Sequence, residues 1–330
     1  MIYGMSRELR EAPERTLDGR GLPRYGSYAG GLERVELPAV SALTRLRRRK
    51  RWLYVALASE DLYVAFAAVD VSYASNAFFF AYDARSQTML ARASVTGTPR
   101  MVTLDDALPR AGHAVVRHRA LTARIVTTRG GVELHVRTPE TRLEATLART
   151  GAPPPITAIA ELKGGVQVTE KAGLLACRGR IETRGVTRPF DALGGYDFSH
   201  GLLERHTAWN WAFLLGRARS GELCAVNLVS GFVGEGECAV WTPGGVFPLG
   251  EGRFDFDRAD PMKPWSVETD DGARLRFAPG AVHREDKNLG VVRSRFVQPV
   301  GVWSGDVPCN GKTLEIGGAL GVAEDQDVIW

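Results

Sequence analysis

From Trp52 onward the apolar positions fall into short runs rich in β-branched and aromatic residues, set apart by polar turn residues. WLYVALA predicts a strand with Trp52, Tyr54, Ala56 and Ala58 on one face; SED is a turn, and LYVAFAAVDVSY and AFFFAYD are the next two strands. MLARASV, AVVRHRAL, TARIVTTR, GVELHVRT and RLEATLAR follow, each ended by turn residues. A strand every 8 to 12 residues or so is the rhythm of an antiparallel barrel or sandwich. GAPPPIT, residues 151–157, interrupts the pattern and resembles an inter-domain connection; a second β run then continues to the C-terminus. Helical period is scarce, limited to a turn or two around SREL and LTRL. The pattern predicts an all-β chain: an irregular wrapping segment over 1–44, one β-barrel unit over 45–155 and another over 156–330.

Composition narrows the class. The 330 residues are 44% hydrophobic and 24% charged, ordinary for a globular protein. Forty-two basic against 38 acidic residues leave a net charge of +4, too small a bias to imply nucleic acid. No apolar run reaches about 18 residues, and the start MIYGMSRELREAPERTL has no apolar signal region, so a cytoplasmic location is expected. Cys177, Cys224, Cys238 and Cys309 lie scattered and are expected to be free thiols. The basic run Arg47–Arg51 reads first as a solvated face; the sharper reading is a patch for an anionic lipid, hence a peripheral membrane contact, or for a ligand carboxylate.

Candidate chemistry concentrates in Gly194 to Ser230, GGYDFSHGLLERHTAWNWAFLLGRARSGELCAVNLVS, with two of six histidines and two of seven tryptophans. If 204–215 is a strand, Glu204, His206, Ala208, Asn210 and Ala212 share one face, and Trp209, Trp211, Phe213 and Leu215 the other. The functional reading makes Asp197, His200, Glu204 and His206 an acid/base cluster at a barrel mouth. Trp209 and Trp211 would steady a developing cation, with Asn210 and Asn227 beside them. The structural reading has the same charged groups pairing at the surface and the tryptophans filling the core. An internal echo supports duplication. Trp52-Leu-Tyr-Val precedes Asp70-Val-Ser-Tyr73 by eighteen residues, and Trp209-Asn-Trp-Ala precedes Asn227-Leu-Val-Ser by the same interval. Asp70 and Tyr73 therefore join the candidate ligand-binding set. His283–Asn288, HREDKN, reads as a solvated hairpin loop able to overhang a barrel mouth.

Other chemistries fit poorly. There is no GxSxG elbow and no Walker lysine, and Asp197…His200…His206 lacks the surroundings of a metal site, so no metal and no cofactor are expected.

WLYVALASEDLYVAFAAVDVSY, GGYDFSHGLLERHTAWNWAF, NLVSGF, VFPLGEGRFDF, PWSVETDDGARLRFAP and FVQPVGVWSGDV resemble a bacterial family labelled as domain of unknown function 2804, over roughly residues 20–325. More distantly the layout resembles the two-barrel calycin proteins: carotenoid hydratases, AttH-like proteins and fungal decalin-forming cyclases. That resemblance implies two lipocalin-like β-barrels and an apolar small-molecule cavity near their junction. It brings no established reaction. The protein is therefore expected to bind an apolar or amphipathic small molecule, either as a cofactor-free hydratase, isomerase or cyclase or as a non-catalytic carrier or scaffold. One departure stands out: the family implies Glu-Asn where this chain has Glu237-Cys238.

Overall fold

The computed structural model describes residues 9–288, 290 and 292–330. Within them lie two curled antiparallel sheets, each lipocalin-like, so the fold is a double calycin. The first sheet has fourteen strands within 10–202, and the second has nine within 206–329. The second curls nearly shut: the Gly252 amide, beside its last strand Arg253–Asp255, donates to Val229 at 2.9 Å. The one α-helix among the described residues is Ala42–Arg48, where the Ser41 hydroxyl accepts from the Thr44 amide. No described helix is long and apolar enough to cross a membrane. Residues 1–8 of the wrapping segment lie outside the described residues. Beyond them, strand Gly26–Ala29 pairs with Ile156–Leu162, and the Ser27 hydroxyl reaches the Gly236 carbonyl at 2.6 Å, so this segment touches both units.

The sheet changes between Leu202 and His206, not at the proline-rich stretch. Thr141–Ala148 and Ile156–Leu162 both pair with one long strand, Gly165–Thr183, at successive positions along the same edge. The prolines serve as a hop along one partner, since proline cannot continue the ladder.

Burial explains the two kinds of strand pattern. Leu121–Thr128 buries every second residue and faces solvent on the other side. Arg49–Ala58, Leu62–Asp70 and Ser75–Asp83 read as continuous apolar runs because both faces are covered. Leu53, Val55, Phe66 and Phe79 fill the first unit, while Tyr54, Ala65, Phe78 and Phe80 pack against the second. Glycine permits the close approach: a Cβ at Gly195 would lie 2.5 Å from the Phe213 ring, and one at Gly173 would lie 2.6 Å from Ala225.

The two sheets repeat one strand order. Outward from Arg49–Ala58, the first runs one way to Leu62–Asp70 and Ser75–Asp83, and the other way to Val186–Leu202 and Gly165–Thr183. Outward from His206–Arg217, the second runs to Leu223–Gly231 and Ala239–Thr242, and to Lys312–Ile329 and Arg293–Cys309. Trp52 and Tyr54 thus match Trp209 and Trp211. The match of Asp70 to Asn227 does not hold: Asp70 lies opposite Arg51, whereas Asn227 lies opposite Phe213. The two hairpins turn through loops of different length, which shifts their registers.

Candidate functional site

Strand alternation fixes which side chains meet at the junction. In the first sheet Lys171, Asp197, Tyr54, Ala67 and Phe78 are successive cross-strand partners, hence one row on one face. Thr169, Ser199, Trp52, Val69 and Asn76 form the next row. In the second sheet Glu324, Trp211 and Val229 make the corresponding row, followed by Gln326 and Trp209. These faces oppose each other. Trp52 stacks on Trp209 with centroids 6.0 Å apart and planes at 9°, and Tyr54 meets Trp211 edge-on at 5.1 Å. Between them is a cavity of about 280 Å³, largely apolar in its walls, with Trp52, Tyr54, Trp209 and Trp211 among the lining residues. It lies at the junction rather than in the bore of either sheet.

Two buried carboxylate sites face this cavity. On the first wall, Lys171 Nζ lies 2.7 Å from Asp197 Oδ2, 3.4 Å from Glu237 Oε2 and 5.2 Å from the Trp211 ring centre. Ser199 and Thr169 hydroxyls donate to Asp197 Oδ1 at 3.3 and 3.4 Å. Burial works against the Lys171 ammonium, but Asp197 and Glu237 outweigh it and hold its pKa above the ordinary value. Burial raises the Glu237 carboxyl, though Lys171 pulls it back. On the second wall, Trp209 Nε1 donates to Glu324 Oε1 at 2.8 Å and Gln298 Nε2 to Oε2 at 2.6 Å. Neither donor carries a charge, so burial prevails and pushes the Glu324 carboxyl up to about 7. Such a group is half protonated at neutral pH and able to give or take a proton.

A third cluster closes one side of the cavity. Glu285 accepts from His283 Nε2 at 3.2 Å, from Lys287 and Ser94, and from Asn76 at 3.3 Å. Burial alone would raise Glu285; His283 and Lys287 overcome it and bring the carboxyl down to about 2. These residues belong to strand Arg274–Asn288, not to the solvated loop that HREDKN suggests. Their Glu285 and Lys287 side chains form part of the cavity wall.

The structure separates the four expected acid/base residues. Asp197 is in the cavity. His200 points to the opposite face of its strand; burial and the nearby Arg51, Arg49 and Arg45 hold its pKa well below the ordinary value, and its Nε2 has no hydrogen-bond partner among the described residues. The His206 side chain is 62% exposed and pairs with Asp327 at 2.8 Å. Glu204 lines an outer groove rather than the aromatic cavity. The strand starts at His206, so Glu204 lies before it and does not share the face of His206 and Asn210, and the cavity is on the other face, with the tryptophans. Asn210 donates to Asp325 away from the cavity. Asn227 is a brace: it accepts from Trp211 Nε1 at 2.6 Å and donates to the Glu237 carbonyl at 2.7 Å. Asp70 pairs with Arg49 and Arg51 and does not line the cavity, whereas Tyr73 does. Cys238 accepts from the Val229 amide, and burial pushes its thiol up to about 12, which leaves it an inert thiol off the cavity wall. All four cysteines are free and buried. Of Arg47–Arg51, Lys50 and Arg51 are buried, and Arg49 and Arg51 pair with Asp70, so most of the run is internal bracing rather than an open basic patch.

Lys171, Glu237, Gln298 and Glu324 fall outside the Gly194–Ser230 stretch: three lie on other strands, and Glu237 ends the short 3-10 turn Gly234–Glu237. Their signal is weaker: charged residues set inside otherwise apolar strands, as in GVQVTEKAGLLA and GALGVAEDQDV.

A family model spans residues 6–330. The chain belongs to the family described as Domain of unknown function (DUF2804). No curated relative matches it. Among solved structures, this DUF2804 chain is similar to CghA in complex with Sch210972, with TM-score 0.56 and 12% identity over 96% of this chain and 98% of that one. It is also similar to a putative AttH from Nitrosomonas europaea, with TM-score 0.52 and 12% identity over 87% and 96%. At these identities the likeness is one of fold.

Proposed function

We propose that this DUF2804 protein binds an apolar or amphipathic unsaturated small molecule in the junction cavity and carries out cofactor-free acid/base chemistry of the hydratase, isomerase or cyclase type. The observation that carries the reading is Glu324, a carboxyl raised to about 7 in an aromatic-walled cavity. Its proton would form a C–H bond with the electron pair of a ligand C=C. The adjacent carbon becomes cationic against the faces of Trp52, Trp209 and Trp211. Water then adds to that carbon and gives its proton to Asp197, or a neighbouring C–H loses its proton to Asp197 and regenerates C=C, or the electron pair of a second C=C forms a ring C–C bond and the new cationic carbon loses a neighbouring C–H proton to Asp197. Lys171, 2.7 Å from Asp197 Oδ2, fixes that carboxyl at the cavity wall for the receiving role. The similarity to a Sch210972-bound structure supports a small-molecule role through the shared fold. Four buried free thiols support a reducing, cytoplasmic setting.

A carrier that releases its ligand unchanged is favoured by one observation: both Glu324 oxygens already accept hydrogen bonds, as a purely structural carboxyl would. Native mass spectrometry of wild type and Glu324→Gln, with extraction of the bound compounds, separates the two. Different compounds in the two proteins support chemistry, and the same compound in both supports a carrier. No bound compound, together with no uptake of apolar fluorescent probes, overturns both.

A further inference from the structure

The aromatic cavity borders a second space. Tyr73, Val292 and Trp330 line both the cavity and an outer groove, whose other walls are Arg47, Arg48, Lys163, Arg205 and Glu204. Four cationic side chains there face one carboxylate. Arg48 is held by the Leu203 and Lys163 carbonyls, which orient it without neutralising it. Arg47 and Lys163 are exposed and form no ion pair among the described residues. Beneath the shared wall, Lys50 Nζ lies 4.7 Å from the Tyr73 ring centre and 5.5 Å from that of Trp330, adding to the positive potential.

The groove sits at a defined distance from the reactive carboxyl. Glu324 and Val328 share a strand, line the same cavity and are four residues apart, about 13 Å at roughly 3.3 Å per residue. Trp330, on the shared wall, lies beyond Val328. A ligand spanning both spaces therefore has an apolar body of at least that length and an end that meets cations.

We propose that the ligand is an elongated amphipathic acid: its apolar chain fills the aromatic cavity, and its anionic end, carboxylate or phosphate, is held by Arg47 and Lys163. This rests on the junction cavity being the binding site. A neutral end would gain nothing from the exposed Arg47 and Lys163 charges, whereas an anion gains charge-assisted hydrogen bonds at the mouth while its chain stays dry.

The test is fluorescence titration of the full chain with cis-parinaric acid and with its uncharged methyl ester. The acid is expected to bind about tenfold more tightly than the ester and to weaken with added salt. Arg47→Glu/Lys163→Glu is expected to remove the preference while ester binding stays. Arg47→Gln/Lys163→Gln gives the same reading should charge reversal perturb the fold. Displacement by dodecanoic acid against dodecyl phosphate then names the anionic end. Equal binding of acid and ester, unchanged by salt and by both variants, overturns the anionic end and leaves the cavity reading standing. Failure of both probes to bind wild type overturns the cavity reading as well. Equal binding together with vesicle association that needs anionic phospholipid and Arg47 and Lys163 would make the groove a membrane contact, and also overturns the proposal.

Discussion

Asp197 and Glu324 occupy matching places in two sheets of the same strand order. Asp197 lies opposite Tyr54, and Glu324 opposite Trp211, across one cavity. Their next neighbours differ: Asp197 has the Lys171 ammonium at 2.7 Å, and Glu324 has the Gln298 amide at 2.6 Å. A full positive charge compensates a buried carboxylate where a neutral donor does so only in part, so a single change of partner makes one wall an ion pair and the other a weak acid. Two sheets of one strand order thereby place two carboxyls in different surroundings across one cavity, the arrangement that the proposed acid/base chemistry uses.

The sharpest way to break this comparison is to remove the acid and leave its shape. Glu324→Gln is expected to lower turnover by about 100- to 10,000-fold while the cavity still takes up apolar probes. Turnover near the wild-type level would move the proton donor elsewhere. On the first wall, Lys171→Met strands Asp197 and Glu237 without their cation, and a loss of about 3–5 kcal/mol is expected in urea denaturation. Gln298→Met removes only one neutral donor from Glu324 and is expected to cost about 1–3 kcal/mol. Equal losses would show that the two walls do not differ as argued.

The pH dependence tests the same contrast with opposite signs. Glu324 titrates near 7 in the folded chain against an ordinary 4.5, so the folded state binds its proton more tightly. Its contribution to stability is highest below about 4.5, falls as pH rises through 7 and amounts to about 3 kcal/mol. Glu285, brought down to about 2, does the reverse: its stabilisation is complete above 4.5 and is lost as pH falls toward 2. Glu324→Gln should flatten the stability curve between about 4.5 and 7 without touching the acid limb, as followed by thermal melts across pH.

How much of this was legible in the sequence follows from range. Strand pattern is local, so the hairpins Arg49–Asp70 and His206–Gly231 and the shared face of Trp209 and Trp211 could be read from alternation, whereas the stacking of Trp52 on Trp209 across the two sheets could not. The sheet boundary was misplaced because GAPPPIT looks like a linker, and only pairing with Gly165–Thr183 shows that it is not. The site was half legible for the same reason. Asp197, Trp209 and Trp211 lie in one stretch, but Lys171 and Glu324 come to it from other strands, and Glu237 from the 3-10 turn Gly234–Glu237 just beyond it. Searching one stretch for companions drew in His200, Glu204 and His206, neighbours in sequence that alternation or the chain path turns away from the cavity.

The smallest expected effect refines the comparison most finely. Trp52 and Trp209 stack as matched residues of the two halves, yet only Trp209 donates to a carboxyl. Replacing either by Phe keeps an aromatic face and should cost about 0.5–1.5 kcal/mol of stacking and packing. Trp209→Phe also removes the N–H that favours the ionised form of Glu324. The Glu324 titration should therefore move further up, by up to about one pH unit, whereas Trp52→Phe leaves it in place. The readout is the pH midpoint of the stability curve in each variant, with Glu324→Gln as the background that has no such midpoint. A shift of equal size in both variants would mean that the stack, through burial, sets the acidity of Glu324. A shift confined to Trp209→Phe means that one indole hydrogen bond tunes it, and that the two halves diverged in hydrogen bonding while keeping their shape.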